Sequence, residues 1–149
     1  MENITHRGFN EKLGWVYGGV FYEENRVSII TGRKVGLEVD TYSGVVVDKK
    51  SVGRSVGFKD KLGKTIFEWD IYRHTEEYNW GDEVTYYVCV WLEEISVFTW
   101  LSVGDLDKYE NERDFLDDCG VPFNLSKEDC DCIQVIGNVY SNPKYLKEF

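Results

Sequence analysis

Along this chain apolar and polar positions alternate with a period of two more often than they recur every three or four residues. "WVYGGVFY" (15–22) and "RVSIIT" (26–31) flank the polar "EEN", and "VGLEV" (35–39) and "GVVV" (44–47) follow with glycine-bearing turns between them. This is the pattern of short hairpin strands. In "TIFEWDIY" (65–72) the alternation sets Thr65, Phe67, Trp69 and Ile71 on one face and Ile66, Glu68, Asp70 and Tyr72 on the other. "VTYYVCVWL" (84–92) and "ISVFTWL" (95–101) hold more β-branched and aromatic residues than a helix favours, and "IQVIGNVY" (133–140) closes the set. Seven or eight short strands in 149 residues predict a mainly β chain built as a small barrel.

One stretch breaks the period. In "DLDKYENERDFLDDCGVP" (105–122) Asp107 with Glu110 three residues on reads as a capping box. Leu106, Tyr109, Phe115 and Leu116 form a narrow apolar stripe, and Gly120 and Pro122 end the pattern. A short acidic helical insertion between strands is the expectation. It holds seven acidic against two basic residues from Asp105 to Asp118, so Asp105, Asp107, Glu110, Glu112, Asp114, Asp117 and Asp118 are candidate binding residues.

The net charge of −10 conceals an uneven distribution. From Arg26 to Lys64 nine basic residues face four acidic ones, +5, whereas from Thr65 to Cys132 four face eighteen, −14. An acidic chain repels nucleic acid at long range, so direct nucleic-acid binding is not expected; it would have to use Arg33, Lys34, Lys49, Lys50, Arg54, Lys59, Lys61 and Lys64. The length suits one domain spanning residues 1–149, and 42% hydrophobic content with 15% aromatic can fill a core. No apolar run reaches the roughly 18 residues of a membrane helix, and "MENITHRGFNEKLG" lacks an apolar leader. A soluble cytoplasmic protein with reduced thiols is expected, since Cys89, Cys119, Cys130 and Cys132 do not form the framework of a small secreted domain.

Asp60 followed three residues later by Gly63 is a type I turn signature, with aspartate accepting from backbone amides and glycine taking the left-handed position. "KDKLGK" (59–64) therefore reads as a hairpin tip. Its approach Val52-Gly53-Arg54-Ser55-Val56-Gly57, the turn Phe58-Lys59-Asp60-Lys61-Leu62-Gly63-Lys64 and the exit Ile66-Phe67-Glu68 resemble the YopX family of bacteriophage and prophage proteins. So do "GWVYGGV" (14–20) and the late Val135-Ile136-Gly137-Asn138-Val139-Tyr140 with Asn142, Pro143 and Leu146. The resemblance spans most of the chain except 73–130. It implies an SH3-like β-barrel core and a phage or prophage source, in a bacterial host cell, with no established activity. Gly57, Asp60, Gly63, Asp70, Gly137, Asn138, Asn142 and Pro143 are its structural motif positions. Trp69 stands where the family usually has glycine, immediately before Asp70.

On one strand Glu68 and Asp70 would sit about 7 Å apart, a spacing open to acid/base or metal chemistry. Nothing nearby completes such a site: His6 and His74 are the two histidines, and there is no Gly-rich phosphate loop or nucleophile elbow. The pair reads as architectural and the chain as a non-enzyme without cofactor. Cys119, Cys130 and Cys132 lack a paired C-x-x-C spacing or a histidine cluster, so no metal is expected. Asn142 reads as an N-cap with Pro143 at the first helical position.

Two functions remain. In one, the chain is a phage accessory module that binds a protein, or itself as a homo-oligomer, through barrel edges and the exposed aromatics Trp69, Tyr78 and Trp80. In the other, the acidic segment imitates a phosphate backbone and occupies the channel of a host defence nuclease, as an anti-CRISPR or anti-restriction inhibitor would.

Overall fold

The structure, a computed structural model, describes residues 4–38, 41–109, 111–119 and 124–147. The chain is mainly β, its strands paired antiparallel, and it divides into two compact units, Met1–Ser55 and Val56–Phe149.

The first unit is a meander of β1 (His6–Asn10), β2 (Gly14–Tyr22), β3 (Val27–Lys34) and β4 (Thr41–Val47). They lie in the order β4-β3-β2-β1, and the start of β5 (Gly53–Lys59) pairs beside β1. The predicted alternation is present: Val27, Ile29 and Val47 are buried, with Val16, Val20 and Val52 packed against them. At the "EEN" turn the Glu23 amide donates to the Arg26 carbonyl and the Arg26 guanidinium pairs with the Glu23 carboxylate at 2.7 Å. One reading needs correction here. "VGLEV" is not a strand over its described residues 35–38, where Val35 and Leu37 are exposed; β3 instead runs on through Lys34. The strand β1 has little apolar patterning of its own and forms by pairing with β2 across a turn. There Asn10 Oδ1 accepts from the Lys12 and Leu13 amides, 2.9 Å each.

Past Ser55, β5 continues into the second unit and its end pairs with β6 (Thr65–Phe67). A four-stranded antiparallel sheet follows, ordered β10-β7-β8-β9, from β7 (Asp70–Tyr78), β8 (Gly81–Leu92), β9 (Val97–Ser102) and β10 (Val135–Asn138). Ile71, Val88, Val90, Leu92, Leu101 and Leu116 bury one core cluster; Ile66, Cys89, Leu125, Cys130 and Val135 bury another.

The insertion between β9 and β10 contains α1 (Leu106–Tyr109), α2 (Glu112–Cys119) and α3 (Lys127–Asp131). Leu116 anchors α2 in the core. The expected capping box is not formed as predicted, because Asp107 lies within α1 rather than before it; Ser102 Oγ donates to Asp105 Oδ2 at 2.9 Å just upstream. Glu110, Gly120 and Pro122 lie outside the described residues, as do the side chains of Tyr109 and Phe115. The helix α3 was not predicted, although Ser126 and Asp129 give the cap signal: the Asp129 amide donates to Ser126 Oγ at 3.1 Å.

The largest correction concerns "TIFEWDIY". It is two strands, β6 and β7, joined by a two-residue turn at Glu68 and Trp69. The carboxylates therefore do not share a solvent face. Asp70 is completely buried and its Oδ2 accepts from the Phe67 amide at 2.9 Å, bracketing the turn; Glu68 sits in the turn itself.

The preceding hairpin tip is held by a second buried carboxylate. Asp60 Oδ1 accepts from the amides of Leu62 and Lys64, 2.9 Å each, and Oδ2 accepts from the Val135 amide at 3.0 Å. The Lys61 amide adds a bond to the Ile133 carbonyl at 2.9 Å. Gly63 takes φ 82°, the left-handed conformation predicted for it. Gly57 also has positive φ, 87°, on the exposed part of β5.

This clasp yields a prediction. Asp60→Ala leaves three backbone donors without their acceptor, and at about 1–3 kcal/mol per unsatisfied buried group unfolding stability should fall by about 3 kcal/mol or more. Gly63→Ala should cost about 1 kcal/mol, the price of left-handed backbone for a residue with Cβ. Urea unfolding of the two variants should reproduce that order, whereas equal midpoints would refute it.

Candidate interaction site

Three exposed large apolar residues of the second unit, Tyr78, Trp80 and Val84, lie on one element. The strands β7 and β8 outrun their neighbours: β10 pairs with β7 only from Asp70 to Tyr72, and β9 pairs with β8 only from Tyr87 to Leu92. Beyond those limits the two strands continue alone, from Arg73 opposite Tyr86 to Tyr78 opposite Gly81. Every residue from Arg73 to Val84 is exposed. A two-stranded arm thus stands out from the sheet.

Its root is packed with aromatics. Tyr72 stacks on Tyr87 at 5.1 Å between ring centroids and meets the edge of Trp100 at 4.8 Å, while Tyr86 lies 5.0 Å from Tyr145. Burial, then the neighbouring Tyr87, pushes the Tyr72 phenol up to about 12, so it stays protonated. At the tip Tyr78 stacks on Trp80, 4.6 Å apart and nearly parallel, and Trp80 is 82% exposed.

Between root and tip the register places Glu76 opposite Glu83 and Glu77 opposite Asp82. Like charges directly across an antiparallel pair are unfavourable. Glu76 is partly relieved: the Tyr78 hydroxyl donates to it and His74 Nε2 lies 3.5 Å away. Those contacts, the Tyr78 hydrogen bond first, hold the Glu76 carboxyl below its ordinary range, and the Tyr78 phenol is raised by the same bond.

The structure distributes the aromatic and acidic candidates over three places. Tyr78 and Trp80 share the arm tip, but Trp69 packs against the core cluster of Ile71, Val88 and Leu116 and so is not part of an exposed aromatic surface. Trp69 adopts φ 72°. Its amide donates to the Cys89 carbonyl at 2.8 Å and its own carbonyl accepts from the Val139 amide at 2.9 Å. The position predicted to suit glycine is thus left-handed, and burial of the indole and two backbone bonds hold a tryptophan there. The acidic candidates lie on the helical insertion. Asp105 receives the Ser102 hydroxyl, Glu112 Oε1 accepts from the Glu94 amide at 3.3 Å, and Asp117 pairs with Arg113 at 3.5 Å. Asp107 is exposed on α1; Glu110 and the side chains of Asp114 and Asp118 lie outside the described residues.

The late motif is structural. Asn138 lies opposite Asp70 in the β10–β7 ladder. Its amide donates to Asn142 Oδ1 at 3.1 Å, and its Oδ1 accepts from the Ser141 amide at 2.8 Å. A Cβ on Gly137 would lie 2.3 Å from Asn142 Oδ1, so the tight return around Asn142 needs glycine there. Pro143 opens a 3-10 turn, Pro143–Leu146, with Asn142 at the cap position as expected; the Asn142 side chain, however, serves Asn138 rather than the turn. Cys130 is buried, its thiol pushed up to about 11 by burial first and then by Asp129 and Asp131, whereas Cys132 is exposed. The side chain of Cys119 lies outside the described residues.

A family profile described as YopX protein matches residues 7–147, nearly the whole chain. The chain belongs to the YopX family. The structure is also similar to a crystal structure of protein EF1440 from Enterococcus faecalis, with a TM-score of 0.58. That likeness covers 99% of this chain and 100% of the other at 20% sequence identity, which shows a shared fold. No curated protein matches the chain. Among the described residues of this YopX-family chain, no helix is long and apolar enough to cross a membrane.

The arm acids Glu76, Glu77, Asp82 and Glu83 were missed from sequence. Their signal was present: "EEYNWGDE" (76–83) sets two carboxylates on each side of a Tyr-Asn-Trp-Gly turn, and hairpin pairing brings them face to face.

Two predictions test the local chemistry. Trp69→Ala should destabilise the fold by about 3–4 kcal/mol, while Trp69→Gly should cost about 1 kcal/mol less because it releases the left-handed strain; an inverted order in chemical denaturation would contradict this. In a Cys119→Ser background, Cys132 should react with a thiol-specific reagent near pH 8 while Cys130 stays protected until unfolding. The sign follows from the raised Cys130 thiol. The native state holds its proton more tightly, so the stabilisation is present below the ordinary 9.0 and is lost as pH rises through about 11.

Proposed function

We propose that this is a phage or prophage accessory protein with an SH3-like core, working in the cytoplasm of a bacterial host by binding a protein through the β7–β8 arm. The carrying observation is the ribbon from Arg73 to Val84, exposed on both faces and tipped by the stacked Tyr78 and Trp80. A ribbon of this kind gains no core burial, so its four carboxylates and open indole cost stability unless a partner covers them. Tryptophan is among the residues most enriched at the energetic centres of protein interfaces. The phage source rests on family membership. The alternative, in which the helical insertion imitates nucleic acid, has weaker support because Glu112 and Asp117 are engaged within the fold.

Affinity capture with tagged wild-type and Trp80→Ala proteins tests the reading. If the arm is the contact, Trp80→Ala should keep its circular dichroism and weaken the captured interaction by about 2 kcal/mol, roughly thirtyfold. Full retention by Trp80→Ala, with loss on charge reversal of Asp107 and Asp117, would overturn it in favour of the helical insertion.

A further inference from the structure

A second exposed feature of the same unit has the opposite charge. The hairpin tip from Lys59 to Lys64 presents Lys59, Lys61 and Lys64 to solvent, with Leu62 69% exposed among them. Its one acid, Asp60, is only 4% exposed and is taken up by the amides of Leu62, Lys64 and Val135. The tip therefore shows three positive charges around an apolar side chain. The arm shows Glu76, Glu77, Asp82 and Glu83 below an open indole, with Arg73 at its root the one full positive charge. Each is the complement of the other in both charge and apolar content.

We infer that the arm of one molecule docks on the Lys59–Lys64 tip of a second copy of this chain. The inference rests on the protein-binding reading above and names the partner. Charge decides the pairing. Arm against arm would bring eight carboxylates together and tip against tip six ammonium groups, both repulsive, whereas arm against tip sets acid on base. All of these charged side chains are exposed within their own chain, so a complement of opposite charge can reach them from a second molecule. Trp80 on Leu62 supplies the apolar centre, and the ammonium groups supply cations for the indole face and for the paired carboxylates Glu76/Glu83 and Glu77/Asp82. The rigid clasp around Asp60 fixes the tip before docking, which lowers the ordering cost.

Sedimentation velocity on the purified chain tests this with paired charge reversals. Wild type should associate reversibly as concentration rises, and raising salt from about 0.05 to about 0.5 M should weaken association roughly tenfold, because exposed charges are screened. An arm variant (Glu76→Lys, Glu77→Lys, Asp82→Lys, Glu83→Lys) and a tip variant (Lys59→Glu, Lys61→Glu, Lys64→Glu) should each be monomeric alone. Their equimolar mixture should associate again, since each then carries the complement of the other. The milder pair Glu77→Gln and Asp82→Asn, which keeps side-chain shape, should weaken association about tenfold and guards against misfolding of the fourfold arm variant. A wild type that stays monomeric, self-association of either variant at wild-type strength, or a monomeric mixture beside an associating wild type would each overturn the inference. A monomeric wild type that still captures a foreign protein through Trp80 would overturn self-docking while leaving the protein-binding reading in place.

Discussion

Burying a carboxylate is costly unless donors are supplied to it, and the second unit holds two buried carboxylates, Asp60 and Asp70, that accept from backbone amides. Asp60 closes the turn from Lys59 to Lys64 onto itself and, through Val135, onto a strand 75 residues further along the chain. Asp70 closes the next turn through Phe67 and sits opposite Asn138 in the neighbouring ladder. The Asp60 carboxylate thus ties the β5–β6 turn to β10, the Asp70 carboxylate ties the β6–β7 turn to itself, and Asn138 is tied to Asn142. In this chain Asp60, Asp70, Asn138 and Asn142 act as clasps on their turns, with glycine at Gly63 and Gly137 where the backbone needs it.

The clasps also fix what the surface can offer. With Asp60 drawn inward, the lysines around it stay outside as a positive tip. With β10 and β9 ending short, β7 and β8 run on unsupported, and carboxylates that would be buffered within a wider sheet face each other across a bare ribbon. Unpaired ribbon edges are ordinarily hazards for unwanted strand pairing, and charge along them is a common protection. Four acids therefore keep two arms from pairing edge to edge, while the indole at the tip remains available to a surface of opposite charge.

Much of the fold was legible because burial imposes strict alternation. Val27 and Ile29 in β3 mark a one-sided strand through their spacing alone, and Asp60 with Gly63 encodes its turn chemically. The break at Glu68–Trp69 was not legible, because tryptophan in a left-handed turn defies local preference and persists through tertiary bonds to Cys89 and Val139. "HRGFN" became β1 for the same reason, through pairing rather than pattern. A small barrel was expected from strand number and an SH3-like one from resemblance; among the described residues the strands form open antiparallel ladders with edges at β4, β6, β9 and β10. At the candidate site, Tyr78 and Trp80 were picked out by residue type, but the arm acids needed the cross-strand register to acquire meaning.

Native-state amide hydrogen exchange tests the central claim most directly. Turn amides normally exchange through local opening, far faster than those of core strands. If the Asp60 carboxylate is the clasp described, the amides of Leu62, Lys64 and Val135 should exchange together, with an opening free energy matching that of core strand amides such as Val88 and Val90. Rapid exchange at Leu62 and Lys64 while Val135 and the core remain protected would show the tip to be an ordinary surface turn and contradict the account.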